Sequence, residues 1–219
     1  MTNPILSVKN LSKKYRKKII FQNLNLDIFP NTITTIYGES GSGKSTLIHI
    51  MGLLEKPSKG KIYFKEQQAP RPNTFRARKI LKNEISFLFQ NFALINDKSV
   101  NYNLNLAYNH KINHQEFEQE KARLLQQFLP QVSLKQKVAI LSGGEQQRLA
   151  LIRALLKPGE IIFGDEPTGS VDPKNREKIF KIFQYAKENG KTVILVSHDP
   201  YIINKSDYKY QLQDLTSQI

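Results

Sequence analysis

The stretch Gly38-Glu39-Ser40-Gly41-Ser42-Gly43-Lys44-Ser45-Thr46 has the spacing G-x-x-x-x-G-K-[ST], which suits a loop wrapped around phosphate oxygens. Its glycines allow backbone conformations that a Cβ forbids, so successive N–H groups can converge on an anion at the positive end of a helix dipole. Lys44 adds a point charge for β- and γ-phosphates, and Ser45 offers a hydroxyl to Mg²⁺, a cation that takes hard oxygen ligands. Phosphoryl transfer also needs a carboxylate near the metal and one near the attacking water. Asp165 and Glu166 close an apolar run and could supply both, Asp165 sharing Mg²⁺ with Ser45 and Glu166 acting as general base. His198 ends another apolar run, where it could reach the γ-phosphate or hold the water in line; Gln90 could touch the metal or its water. Seen alone, the acid pair is equally a helix-capping turn and His198 a satisfied structural histidine. Ser142-Gly143-Gly144 has the makings of a second anion site without a lysine, or of an ordinary capped helix start.

These groups need strands that end beside one another. Thr32 to Tyr37 reads as a short buried strand before the loop, and Thr46 to Leu54 as the helix behind it. Ile5 to Val8 and Phe21 to Ile28 alternate as half-buried strands, which makes the basic run between them, with Tyr15 inside it, a hairpin-like turn. Lys61 to Lys65 is a further strand, Gln67 to Asn73 a polar loop, Thr74 to Lys82 a helix, and Ile85 to Phe89 a strand running into Gln90. From Asn91 to Ile140 the pattern turns helical, most clearly over Gln115 to Leu129, which Pro130 terminates. Ser142 is placed to cap the next helix; Asp172 and Pro173 start another. Ile161 to Glu166 and Thr192 to Val196 are core strands, the second read as the last. Strands alternating with helices predict an α/β fold with a mainly parallel sheet and ligands at the strand carboxyl ends.

With 219 residues the chain has room for one α/β domain and a small inserted lobe. The absence of cysteine excludes disulfides, thiolate metal sites and a cysteine nucleophile. No secretory leader is expected after Met1, and no window has the twenty or so apolar residues that span a bilayer. A net charge of +14 favours polyanionic partners, and it crowds at Lys13, Lys14, Arg16, Lys17 and Lys18 and again at Arg71, Arg76, Arg78, Lys79 and Lys82. A solvated surface, an anionic membrane face and nucleic acid all fit such clusters.

Together the motifs resemble those of the ABC ATPases. Leu141-Ser142-Gly143-Gly144-Glu145 is similar to the ABC signature, Gly38 to Thr46 to Walker A, Gln90 to the Q-loop glutamine, Ile161 to Asp165 with Glu166 to Walker B, Ser170-Val171-Asp172 to the D-loop and His198 to the switch histidine. The six occur in the family's order over nearly the whole chain. The resemblance implies a P-loop NTPase fold of the ABC ATPase type: one domain over 1–219, with a core of 1–90 and 141–219, an N-terminal antiparallel β subdomain and an inserted α-helical lobe at about 91–140. It implies ATP and Mg²⁺ as cofactors, with ATP held by Tyr15 stacked on adenine, by Gly38, Glu39, Ser40, Gly41, Ser42, Gly43, Lys44, Ser45 and Thr46, and by Gln90. Ser45, Gln90 and Asp165 would hold the metal, and Glu166 and His198 would be catalytic. Ser142, Gly143, Gly144 and Glu145 would face the ATP of a second cassette in a head-to-tail homodimer, or a heterodimer with a related ATPase, with Ser170 and Asp172 as D-loop residues.

The resemblance further implies an ATPase that drives a separate transmembrane permease from the cytoplasmic face of the cell membrane, with no nucleic-acid partner. Finer resemblance, through Ser45 to Leu54 and Asp165 to Ser170, is to the lipoprotein-release and macrolide-efflux type; Gln90 to Ile95 is similar to the bacteriocin-export branch. Export of a peptide or bacteriocin, a drug or a lipid-like substrate is the expectation. A regulatory ATPase signalling through a membrane partner and a nucleic-acid-associated ABC protein are the alternatives. Departures from the pattern are Gly164 before the Walker B acid, Val171 in the D-loop, and Ala139-Ile140 before the signature.

Overall fold

The computed structural model describes residues 3–109, 112–168 and 172–215. In chain order the elements are β1 (Leu6–Tyr15), β2 (Lys18–Ile28), β3 (Ile33–Tyr37), α1 (Lys44–Met51), β4 (Lys59–Phe64), β5 (Gln67–Gln68), α2 (Phe75–Asn83) and β6 (Ile85–Leu88). Next come α3 (Val100–Asn105), α4 (His114–Phe128), α5 (Gly143–Leu156), β7 (Ile161–Asp165), α6 (Pro173–Glu188), β8 (Thr192–Val196), α7 (Pro200–Lys205) and β9 (Tyr208–Gln211).

The strands form two sheets. One is antiparallel in the order β2-β1-β4-β5; the other is parallel in the order β6-β7-β8-β3-β9. The central parallel strands β7 and β8 are buried and mainly apolar on both faces, as the middle of a sheet covered on both sides must be, whereas β9 is a polar edge strand. Successive side chains alternate between two cores. Ile194 and Val196 join Leu6, Leu24, Leu47 and Phe163 on the side of the antiparallel sheet and α1, whereas Val193 and Leu195 join Ile162, Leu149, Phe183 and Leu88 under α5 and α6. The strand ends are therefore fixed from both faces, and they carry the candidate site.

Four expectations change. The basic run is not a loop: β1 and β2 extend through it and leave only Arg16 and Lys17 at the turn, with Tyr15 as the last residue of β1 paired to Lys18. A twisted two-stranded ribbon leaves one face to water, so lysine is tolerated along it. Gln67 and Gln68 form a short edge strand. β8 is not the last strand, because β9 adds to the sheet edge beside β3. The segment 91–140 is helical mainly in α4, with the short α3 and a 3₁₀ turn at Val138–Ile140.

The α3–α4 contact has a feature that the helical pattern did not reveal. Lys121 is fully buried, and its ammonium donates to Asn101 Oδ1 at 2.6 Å, Asn105 Oδ1 at 2.7 Å and Glu118 Oε1 at 2.6 Å. A buried ammonium is tolerated when its three protons are satisfied in this way.

Candidate functional site

β3 delivers the chain into the loop 38–43, and α1 leaves it. At Gly43, φ is 102°, and a Cβ there would collide with the Ile20 side chain, so the bend and the close approach of β2 both need glycine. Gly43 offers no side-chain cap, whereas Thr74, Ser99, Asn113, Ser142, Asp172 and Asp199 cap α2 to α7. The first amides of α1 are thus left to an external acceptor. Lys44 is buried, its Nζ donating to Gly38 O at 2.9 Å and Glu39 O at 2.8 Å, which keeps the charge against the loop.

Across the sheet, the end of β7 meets α1. Ser45 Oγ donates to Asp165 Oδ1 at 2.9 Å, and His49, one turn further along α1, has Nε2 3.7 Å from Asp165 Oδ2. Glu166 comes next, in a left-handed conformation, φ 49°, which costs a non-glycine residue roughly 1–3 kcal/mol. Its N–H bonds Val196 O at the end of β8, which turns the carboxylate toward the next strand end. There His198 Nδ1 lies 2.9 Å from Glu166 Oε2. The approach is close but off the hydrogen-bond line, so Oε2 is buried without a donor among the described residues.

The second glycine-rich stretch lies elsewhere. Ser142 Oγ donates to Glu145 Oε2 at 2.7 Å, Ser142 N–H donates to the same oxygen at 2.8 Å, and Glu145 N–H returns to Ser142 Oγ at 3.4 Å, a complete capping box. The Ser142 hydroxyl and N–H together hold the Glu145 carboxyl below its usual range. Ser142 and Gly143 are exposed, and nothing lies within 4 Å of where a Gly143 side chain would start. Among the described residues, no hydrogen bond or ion pair joins Ser142–Glu145 to the loop 38–46. α5 packs on α3, α4, α6 and β6, while α1 packs on β7 and β8.

A family model for the ABC transporter matches residues 21–169, a span that holds the loop, the acid pair and the Ser142 helix start. The chain belongs to the ABC transporter family. It is an ABC ATPase cassette, and its two-sheet fold is that of the family. One relative is the macrolide export ATP-binding/permease protein MacB of Campylobacter jejuni, 35% identical over 212 residues; the match covers 96% of this chain and spans about a third, 33%, of that protein. Another is the lipoprotein-releasing system ATP-binding protein LolD of Rickettsia bellii, 33% identical with 97% of each chain covered. Among solved structures, the dimeric ATP-binding cassette MJ0796 in a post-hydrolysis state bound to ADP and Pi superposes with a TM-score of 0.83, at 31% identity over 97% of both chains. The bacteriocin-export likeness finds no specific support in these relatives.

In this ABC cassette Gln90 is exposed two residues past Leu88, which pairs with Gly164, so the register sets it at the same edge as the acid pair. Tyr15 is 46% exposed, its hydroxyl donates to Glu55 Oε1, and the Lys13 ammonium stands 4.6 Å from the ring centre. The Glu55 hydrogen bond raises the Tyr15 pKa. Asp172 caps α6 through Lys174 N–H and Asn175 N–H, whereas Ser170 lies outside the described residues, as do Gly169 and Val171. Gly164 has a local reason, since a Cβ would stand 2.8 Å from Leu195 Cδ2.

Sequence reasoning missed His49, although the i, i+4 spacing from Ser45 puts both on one face of α1. It also missed Asn175, which accepts from Arg148 Nη1 and donates to Asp172 Oδ2 at 2.6 Å, tying the α5 start to the α6 cap. Ser45 and Asp165 form a pair of hard oxygen donors that fits Mg²⁺, which usually keeps its waters and takes one or two carboxylates plus substrate phosphates. Among the described residues no group of three or more His, Cys, Asp or Glu could hold a metal by itself.

Proposed function

We propose that the chain is the ATP-hydrolysing subunit of an export-type ABC transporter, which dimerises on ATP and drives a separate transmembrane permease. The observation that carries this reading is the meeting of an uncapped phosphate loop, the Ser45–Asp165 pair and the Glu166–His198 pair at one sheet edge. ATP phosphates would lie on the first amides of α1, with Lys44 exchanging its carbonyl partners for phosphate oxygens, and adenine on the exposed ring of Tyr15. Ser45, Asp165 and Gln90 would hold Mg²⁺, which when bound neutralises charge on the phosphates. Glu166 takes the proton of the attacking water, and His198 orients that water. Asp172, with Ser170, belongs to the segment that would face the second cassette.

The exposed Ser142–Gly143 start of α5 meets no phosphate loop among the described residues, which supports a head-to-tail pair in which Ser142, Gly143, Gly144 and Glu145 close on the neighbour's ATP. We read residues 1–219 as one domain with its lobe at about 91–140. Between α2, β6, α3 and α5 lies a cleft of about 420 Å³ lined by Leu54, Leu81, Phe87, Phe89, Leu106 and Arg153; it opens next to Gln90 and is where the permease would dock. No helix among the described residues is long and apolar enough to cross a membrane. The names of the relatives, a macrolide exporter and a lipoprotein-releasing system, favour a drug or lipid-like cargo, and in this reading the chain works at the cytoplasmic face of the membrane.

Glu166→Gln keeps size and packing but removes the base. Turnover is expected to fall by about two to four powers of ten while ATP affinity stays within twofold, read by phosphate release and calorimetry. Turnover retained in the variant would take Glu166 out of that role.

A further inference from the structure

The cleft proposed for the permease is bordered by α2, and the outward side of α2 has a composition that the ATPase does not use. Its buried stripe is Ala77, with Ile80 and Leu81 half-buried. The opposite stripe, at i, i+3, i+4 and i+7, is Phe75, Arg78, Lys79 and Lys82. Phe75 is 83% exposed, the most exposed of the large apolar side chains described. A single exposed apolar residue is ordinary on a protein surface; one set at the tip of a helix whose outward face is otherwise all cationic is the composition of an interfacial helix.

The charge continues beyond α2. A neighbouring cleft of about 250 Å³ is lined by Lys56, Lys59, Lys61 and Arg71. Thr74, the N-cap of α2, donates to Arg71 O at 2.8 Å and so joins the helix to that cleft. None of the cations on the α2 stripe or in the cleft takes part in an ion pair among the described residues, whereas Lys13, Lys65 and Lys187 elsewhere do. The α2 stripe and the cleft are thus adjoining cationic surfaces joined at Arg71, without an ion pair among the described residues.

We propose that α2 and the adjoining basic cleft form a docking face for the anionic headgroups of a lipid bilayer, with Phe75 inserted among them. Lysine, a compact point charge, suits a diffuse headgroup potential better than the planar, bidentate recognition that arginine gives to single phosphates or bases. Phe75 supplies the apolar insertion that electrostatics alone lacks. The face begins where the permease cleft ends, because Leu81 of α2 and Leu54, two residues before Lys56, line that cleft. A cassette seated on a permease would thus turn this face to the lipid around it, and for this orientation alone the proposal rests on the permease reading.

The test is co-sedimentation of the full chain with phosphatidylglycerol/phosphatidylcholine vesicles and with pure phosphatidylcholine vesicles, across ionic strength. Binding is expected only to the anionic vesicles and should weaken with salt. Each headgroup charge contact is worth about fivefold, so Arg78→Gln, Lys79→Gln and Lys82→Gln together should reduce binding about a hundredfold. Phe75→Ser should reduce it severalfold. ATPase activity without vesicles and thermal midpoint should be unchanged, which separates loss of the surface from loss of the fold.

Equal binding of neutral vesicles, or an unchanged affinity in the triple variant, would overturn the proposal. So would tighter binding of a duplex DNA oligomer than of anionic vesicles at the same salt, lost in the same variant, which would assign the face to nucleic acid. Retention of the permease on the immobilised chain is measured separately, so a failure of the permease reading would be seen without disturbing the vesicle result.

Discussion

α1 and α5 both start in bends of serine and glycine, yet α1 leaves its first amides without a side-chain cap, whereas α5 satisfies its own through Ser142 and Glu145. A missing cap costs about 1 kcal/mol of helix stability, so the open end of α1 is stabilised by whatever anion it receives. Lys44 stands at the open end, and the closed end has Glu145, an anion already in place. One helix start is thus left open to an anion, which in the proposed function is phosphate. The other is neutralised from within and offers mainly the exposed Ser142 and Gly143, as suits a surface that closes on a nucleotide held by another chain.

The contrast can be broken first at the open end. Lys44→Ala should weaken ATP binding about ten- to a hundredfold, because a charge-assisted contact is lost, with a thermal midpoint close to that of the parent chain; calorimetric titration reads the first and a melting scan the second. At the closed end the two glycines should part company. Gly144→Ala places a Cβ 2.8 Å from Asn175 Cγ, and Asn175 is pinned by Arg148 and Asp172, so a loss of about 1–2 kcal/mol is expected in urea unfolding. Gly143→Ala meets nothing and should leave stability unchanged or slightly raised.

The same closed end can be opened through Glu145. Glu145→Ala should cost about 1 kcal/mol at neutral pH by opening the capping box. The Glu145 carboxyl has its pKa lowered from 4.5, chiefly by the Ser142 hydroxyl. The folded form therefore binds this proton less readily than the unfolded chain, and the stabilisation is present above pH 4.5 and lost as pH falls through the folded value. Stability curves of the parent chain and of Glu145→Ala should converge in acid; a gap that persists there would show that the carboxylate charge does not act in the cap.

The open end was legible because its geometry constrains sequence locally: a left-handed Gly43, a lysine and a hydroxyl have few other uses at that spacing. Asp165, Glu166 and His198 were legible as strand ends, since apolar runs buried on both faces are easy to see. Relations across the chain were not. Lys14 and Lys18 looked like loop residues because period-two alternation is weak in an exposed ribbon, and Tyr208-Lys209-Tyr210-Gln211 looked too polar for a sheet that it joins only at an edge. Lys121 gave no signal at all, because a lysine on an amphipathic helix reads as solvated until Asn101 and Asn105 are found above it. His49 had the right spacing, and its partner Asp165 lies on a strand more than a hundred residues away.

If the loop 38–46 is half of a site and the α5 start of a second copy is the other half, Ser142→Arg tests that relation most directly. ATP affinity of the monomer is measured by titration at low protein concentration, and dimerisation by sedimentation with ATP in the Glu166→Gln background. Monomer affinity within about twofold of the parent and no ATP-driven dimer are expected, because the bulk and charge fall on the shared face alone. An equal loss of monomer affinity, or a dimer that still forms, would contradict the shared site.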